Sequence, residues 1–522
     1  MIQKIKEYVK ANKYLLMLFL FSTAYFLYQK SVGNSWDFNA FVLNAEYLFG
    51  DGLYFETLRP PLMPVIIGLI SLLTTTLVAE YIYIILVAVL FFISSVYLAK
   101  ALGFNEVIYY GLSLNIFVLT WGLVNGTELL SYALMQLMIL FLVKERITGG
   151  FFLGLASLAR YSNLIFFPFL LLQKNIKKIV LSLFLFGLTL IPWLTYNFIK
   201  TGNFLTSIAD QYANNILFRQ YFLNNSYDNY LIDFLSVTNF LLIPALIGIG
   251  GFLFLIYNYL IFNKNKSVRN IWDFIIKNKV SLVMLIILIY TTYSYLGIPL
   301  KHARYLFLNL LPLTYFAYKG LEIVSNFFKT KKYSFKKIMT YLFLIILLLN
   351  VTSLVYLESS NTIYYESILG YEYMRDKVEE LGISDCELMS NVWVPLNYLG
   401  LSSQPFPRDF QINSKLDEGY NLLIVHSVGD PEYSSDKDFL ESFPILYQAP
   451  HYIILGTDNC KERYVYDITY TEEIKNIYLE RENIELNINP CFLMFRNYGL
   501  LEKTCNFFNM KGFEKDENRE IL

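Results

Sequence analysis

What most constrains this chain is a succession of apolar runs, each long enough to enter or cross a hydrocarbon core of about 30 Å. They lie near 14–30, 62–78, 80–100, 105–122, 128–143, 149–172, 178–198, 238–262, 280–298, 303–321 and 338–356. Runs of this kind predict an α-helical polytopic membrane protein with about eleven spans. The first run is followed by further spans, so it is expected to stay in the protein rather than to be removed as a signal peptide.

Charge orients the spans. Lys4, Lys6, Lys10 and Lys13 precede the first run. Lys174, Lys177 and Lys178, then Lys264, Lys266, Arg269, Lys277 and Lys279, and then Lys329, Lys331, Lys332, Lys336 and Lys337 mark further cytoplasmic ends by the positive-inside rule. The N-terminus is therefore expected in the cytoplasm, with the first loop, the 199–237 loop and the tail outside. Lys144, Glu145 and Arg146 resist this count, because they fall outside in it. Either that loop is an exception or a segment between 62 and 172 is re-entrant.

The net charge of −1 hides an asymmetry: Met1 to Tyr356 carries 28 basic and 14 acidic residues, Leu357 to Leu522 14 basic and 29 acidic. The tail also changes texture, with short alternating runs "NLLIVHSV" and "HYIILG" and a helical "GYEYMRDKVEELGI". The expected division is a transmembrane domain, 1–356, with its first outer loop at 31–61, and a soluble extracytoplasmic α/β domain, 357–522. All four cysteines, Cys386, Cys460, Cys491 and Cys505, lie in the tail. An even set in an exported domain is compatible with disulfides, and equally with buried free thiols. His426 and His451 read as structural. No internal repeat, Walker loop, zinc spacing or GxSxG motif occurs.

The first loop, "SWDFNAFVLNAEYLFGDGLYFETLRPPLMP", is unusually charged for a connection between spans. Phe38, Phe41, Val42, Ala45, Leu48 and Phe49 recur at helical spacing, with Asp37, Asn44 and Asp51 on the other face, which predicts an amphipathic helix on the membrane surface. The turn at Gly50 to Gly52 ends it, and Pro60-Pro61 suits the start of the next helix. Asp37 and Arg59 are thereby expected at the outer membrane boundary, where a carboxylate and a guanidinium serve a molecule with a lipid tail and a polar head.

At this point the residues resemble a family. The first-loop Asp, "NAEYLFGDGLYFETLRPPLMPVIIGLI", "NGTELLSYAL", "GLASLARYSNLIFFP", "YNFIKTGNFLTS" and "HARYLFLNLLP" are similar to the C-type glycosyltransferases, and within them to the protein mannosyltransferase and aminoarabinose transferase group. The resemblance covers scattered pieces of 14–320, and the double-proline loop after an outward Asp is its most specific part. No Trp-Trp-Asp of oligosaccharyltransferases is present. The resemblance implies a membrane enzyme that moves a sugar from a polyprenyl (undecaprenyl or dolichyl) phosphate donor, with inversion, to a glycan, lipid or protein acceptor on the outer face of the cell membrane. It implies no nucleic-acid partner, and it leaves room for a divalent metal without fixing one.

The leaving group of such a donor is already an anion, so the enzyme needs a base for the acceptor hydroxyl and cations for the phosphate, and one carboxylate suffices. Asp37 is the expected base; the ordinary Asp value of about 3.9 is low for that task, and partial desolvation would raise it. Arg59 is the expected phosphate ligand. Glu128, at a helix start just inside the membrane, is a second catalytic candidate that would orient acceptor or sugar. Lys301, His302 and Arg304 form an outward basic cluster for the phosphate head, and Arg160, inside an apolar run, is expected to face a polar cavity. Plain alternatives exist for each: a first-turn acid, a snorkelling arginine, a helix start and headgroup contacts. A transporter or flippase of lipid-linked sugars is the rival class, and it would be expected to carry inverted repeats. A surface receptor would explain the tail but not the charged, proline-locked loop.

Overall fold

The structure is a computed structural model, and it describes residues 12–212, 214, 230–262, 268–297, 302–329, 334–359, 368–407, 409–426, 436–457 and 459–467. The chain is mostly helical, with a small sheet domain towards its C-terminal end. It groups into two compact units. The first comprises Met1–Ser31, Tyr81–Leu194 and Asn224–Tyr364, and the second Val32–Glu80, Thr195–Leu223 and Tyr365–Leu522.

Among the described residues, six helices are long and apolar enough to cross a membrane: Lys13–Val32, Thr76–Leu102, Ile176–Thr201, Tyr230–Ile261, Lys279–Leu296 and Phe335–Ser359. The chain is thus a multi-pass membrane protein. The other apolar runs are shorter or interrupted. Leu62–Ser71 has ten residues and is about 15 Å long. The 105–122 run breaks into Glu106–Ser113 and Ile116–Trp121, because Asn105 and Asn115 each cap a new start, accepting from the N–H groups of Ile108 and Val118. The 149–172 run divides into an α-helix, Thr148–Ala159, and a 3₁₀ helix, Tyr161–Leu172, with Arg160 extended between them. The 303–321 run opens as a 3₁₀ turn, Ala303–Asn309, before Leu310–Phe327.

Within the first unit, the loop after Glu128–Val143 settles where the 148–172 segment goes. Glu145 Oε2 accepts from the backbone N–H of Lys174 at 3.1 Å, and its carbonyl accepts from Lys178 Nζ at 2.7 Å. Lys279 ion-pairs with the Glu145 carboxylate and donates to Leu142 O at 2.9 Å. Gly150 lies so close to the Ile176–Thr201 helix that a Cβ there would stand 1.8 Å from Ser182 O. Residues 144–147 therefore sit at the same end as 174–178 and Lys279, and the 148–172 segment leaves that end and returns to it. Of the two readings of Lys144-Glu145-Arg146, the re-entrant one fits these contacts. A 12-residue helix reaches about 18 Å, which puts Arg160 at the tip of the hairpin.

Within the second unit, five strands, β1 (Leu388–Ser390), β2 (Ser403–Pro405), β3 (Asn421–Val425), β4 (Ile445–Gln448) and β5 (Tyr452–Leu455), form a sheet of order β2-β1-β3-β5-β4. β2-β1-β3 is parallel and β3-β5-β4 antiparallel. Successive β3 side chains point to opposite faces and both faces are buried: Leu423 and Val425 pack with Val378, Leu396 and Ile454, while Leu422 and Ile424 pack with Ile412, Leu416 and Ile453. A disulfide joins Cys386 to Cys460. Cys491 and Cys505 lie outside the described residues.

Candidate active site

The first loop of the second unit begins with the helix Trp36–Phe49, started by Ser35, whose side chain accepts from Phe38 N at 3.2 Å. Residues Phe38 to Ala45 are all buried, Asn39 and Asn44 included, so the helix is covered on more than one apolar stripe. The expectation that Asn44 lies on an outward polar face is corrected here. Its side-chain amide donates to Glu56 O at 2.9 Å and accepts from Glu56 N at 2.8 Å, satisfying both backbone groups of that loop residue. The turn that returns the chain requires glycine at position 52, where a Cβ would stand 2.7 Å from Tyr47 N.

Asn44 thereby fixes Glu56, and Glu56 fixes Arg59. The Arg59 guanidinium donates through Nε to Glu56 Oε2 at 2.5 Å and through Nη1 to Asp37 Oδ1 at 2.6 Å. Its side chain is 12% exposed, that of Asp37 18% and that of Glu56 1%. Burial acts to lower the Arg59 pKa, but the Glu56 and Asp37 carboxylates outweigh it and hold the group further above the ordinary arginine range. The Phe41 ring lies 5.4 Å from the guanidinium. The two pairs use Nε and Nη1, and neither uses the Nη2 end of the fork.

Glu56 is held on its other oxygen as well. Tyr54 Oη donates to Glu56 Oε1 at 2.7 Å, and Trp393 Nε1 donates to Tyr54 Oη at 2.7 Å. Tyr54 stacks on Tyr466, whose backbone joins the loop as a short parallel bridge, with Phe55 N to Tyr466 O at 2.9 Å and Tyr466 N to Leu53 O at 2.7 Å. Lys200 is a further cation beside this loop, 2.7 Å from Tyr47 Oη and 3.0 Å from Asp467. Glu46, farther along the helix, is pushed up by burial and by Glu80, against a hydrogen bond from Thr76. Glu80 itself accepts from Tyr398 Oη at 3.0 Å.

The remaining sequence candidates belong to the first unit. Glu128 opens the helix Glu128–Val143 and pairs with Arg160, the hairpin tip, at 2.6 Å; the side chains are 4% and 24% exposed. Glu128 Oε2 is buried without a hydrogen-bond partner among the described residues. His302 caps the Ala303–Asn309 turn, accepting from Arg304 N at Nδ1, and its ring meets Trp121 edge-on at 5.1 Å. Arg304 lies over the Tyr305 ring. Lys301 lies outside the described residues. The structure thus brings Asp37 together with Arg59, and Glu128 together with Arg160. Sequence reasoning missed Glu56, Tyr54, Lys200 and Trp393; only Glu56, three residues before Arg59, carried a local signal. Among the described residues no group of three or more His, Cys, Asp or Glu side chains is arranged to hold a metal ion.

No protein-family model matches the chain, and no curated protein matches it. Among solved structures, the chain has a likeness to the crystal structure of ArnT from Cupriavidus metallidurans bound to undecaprenyl phosphate, at 9% identity and a TM-score of 0.47, covering 85% of this chain and 98% of that one. At that identity and score the likeness carries no argument about the chemistry of this chain.

Proposed function

We propose that this chain is a membrane glycosyltransferase that transfers a sugar from a polyprenyl-phosphate carrier to an acceptor hydroxyl on the outer face of the membrane. The observation that carries the reading is the largely buried Asp37–Arg59–Glu56 cluster, built on the first loop of a multi-pass membrane protein. A carboxylate and a guanidinium held in contact are the two groups the transfer requires. The acceptor oxygen attacks the anomeric carbon of the sugar and Asp37 takes its proton. The bond from that carbon to the phosphate oxygen breaks on the opposite side, giving inversion. The polyprenyl phosphate leaves as an anion, so no acid is needed to protonate it.

Arg59 meets that phosphate. Glu56 keeps Nε, which leaves the Nη edge to turn from Asp37 to the donor, so arrival of the phosphate frees the base. Glu128 with Arg160, and His302 with Arg304, are proposed to orient the sugar and the phosphate head. The N-terminus is proposed to lie in the cytoplasm and the sheet domain outside. The test is incubation of membranes containing the full chain with radiolabelled polyprenyl-phosphate sugars, followed by scoring of label in lipid, glycan and protein fractions. Label that stays on the carrier in every fraction, while the carrier itself is moved across the bilayer, sinks the reading and supports a transporter.

A further inference from the structure

We infer that Trp393, contributed by the sheet domain, is a positioning residue for the first-loop site, holding Arg59 through Tyr54 and Glu56. This rests on the reading of Arg59 as the ligand of a lipid phosphate.

The chain of contacts runs one way. Trp393 Nε1–H donates to Tyr54 Oη, Tyr54 O–H donates to Glu56 Oε1, and Glu56 Oε2 accepts from Arg59 Nε, at 2.7, 2.7 and 2.5 Å. The indole N–H is a donor only, so it directs the phenol proton towards the carboxylate, and donors aligned in series strengthen one another. Tyr54 and Glu56 are each 2% exposed, so water cannot replace either contact cheaply. Both Glu56 oxygens are engaged, one by the phenol and one by the guanidinium. Without the phenol, the carboxylate is free to turn about its last bond, and the angle at which Arg59 presents its fork is no longer set.

The same indole touches the other end of the site. Its ring meets Trp36 edge-on at 4.5 Å, and Trp36 is the residue immediately before Asp37. Val394, next to Trp393, is buried with Ala40, Leu43, Tyr54 and Tyr466. Trp393 occupies this place because it starts the short helix Trp393–Tyr398 after β1, at the C-terminal edge of the parallel strands, and Asn391 ties that turn to Val425 of β3 by two bonds of 2.8 and 2.9 Å. In open α/β sheets that edge, between strands whose connections run in opposite directions, is where ligands are received. Here it receives the loop that carries Asp37 and Arg59, so the sheet domain sets the geometry of the donor-binding cation.

The test measures binding of undecaprenyl phosphate to purified full-length protein in detergent, for wild type, R59A, W393F, Y54F and W393F/Y54F, with a thermal melt of each. W393F keeps an aromatic ring against Trp36 but removes the N–H; Y54F removes one oxygen. The expected result is that R59A weakens binding most, W393F and Y54F each weaken it about two- to tenfold, and the double variant binds no worse than the weaker single one. In the transfer assay, the donor KM rises and the acceptor KM holds, a split that general loosening of the fold would not give. If R59A weakens binding while W393F and Y54F bind as wild type does, the relay is overturned and the phosphate reading stands. Additive effects in the double variant also overturn it, since independent contacts are then at work. If R59A binds as wild type does, the phosphate reading fails and the relay with it. Should W393F melt early, Y54F alone decides between these outcomes.

Discussion

Arg59 Nη1 stands 2.6 Å from Asp37 Oδ1, so the expected phosphate ligand and the expected base are each other's partner in this state. With Glu56 on Nε, one guanidinium sits between two carboxylates, a net charge of −1 in a largely buried cluster. Glu56, whose side chain is the more deeply buried, is the firmer anchor, and in the proposed reaction the Asp37 contact is the one exchanged for the donor phosphate.

Asp37→Asn nearly preserves shape and keeps an oxygen for Arg59, but it cannot take a proton at the acceptor hydroxyl. The protein is expected to insert and fold as wild type does, with transfer reduced by about a hundred- to ten-thousandfold. Label transfer from a polyprenyl-phosphate sugar, normalised to the amount of folded protein, is the measurement. Normal turnover by the Asn variant rejects Asp37 as the base.

Asn44→Ala tests whether the loop needs its clamp. The substitution leaves Glu56 N and O without the partners that now sit at 2.8 and 2.9 Å. Loss of two buried backbone bonds is expected to cost about 1–3 kcal/mol locally and to lower transfer, although Asn44 touches neither reacting group. A melt in detergent together with the transfer assay reads both. An Ala variant with wild-type stability and activity shows that the loop holds itself.

How much of this was legible in the sequence follows from the range of each interaction. The first-loop helix, the glycine turn and the start after Pro61 are local, and they were readable. So was the sheet domain, because β3 and β5 are short apolar runs of strand length, five and four residues, buried along their whole extent. Hydropathy reports burial but not continuity, so the breaks at Asn115 and Arg160 inside apolar runs, and the 3₁₀ turn Ala303–Asn309 that opens the 303–321 run, were not visible to it. Glu56 became important only because Asn44 turns it inward and a side chain 339 positions from Tyr54 reaches the loop. No window of the chain contains that juxtaposition.

The Glu128–Arg160 pair makes a separate prediction. Arg160→Met leaves a buried carboxylate unpaired and is expected to destabilise the protein by about 3 kcal/mol, the low end for a broken buried pair because Arg160 is partly exposed. Glu128→Gln keeps an acceptor for Arg160 and is expected to cost less. The double variant should be more stable than the sum of the two changes indicates. Additivity in melting experiments means that the two residues do not share an interaction.

Glu387 gives the sheet domain a pH dependence. Its side chain accepts from Ser402 and Gln404, yet burial outweighs these bonds and raises its pKa above the ordinary carboxylate value. A raised acid binds its proton more tightly in the folded state than in the unfolded one. Its contribution to stability is therefore full below the ordinary Glu range of about 4.3 and is lost as the pH rises through the folded value. Glu387→Gln removes that slope. The difference in melting temperature between the Gln variant and wild type is expected to grow from pH 4 to pH 7 in favour of the variant. A constant difference across that range sinks the assignment.

The hairpin makes a prediction about sidedness that is independent of catalysis. If 149–172 crossed the membrane once, Arg146 and Lys177 would face opposite sides. The bonds from Lys174 and Lys178 to Glu145 hold the two loops together instead. Both positions are exposed, so Arg146→Cys and Lys177→Cys, introduced singly, offer accessible thiols. By the positive-inside rule the shared side is the cytoplasm. A membrane-impermeant thiol reagent is therefore expected to leave both untouched in intact cells and to label both after permeabilisation. The native cysteines of the tail, after mild reduction to open the Cys386–Cys460 disulfide, are expected to react in intact cells and serve as the control. Labelling of only one of the two engineered positions in intact cells overturns the hairpin. Labelling of both there, with the tail protected, inverts the whole topology and removes the sheet domain from the face proposed for donor and acceptor.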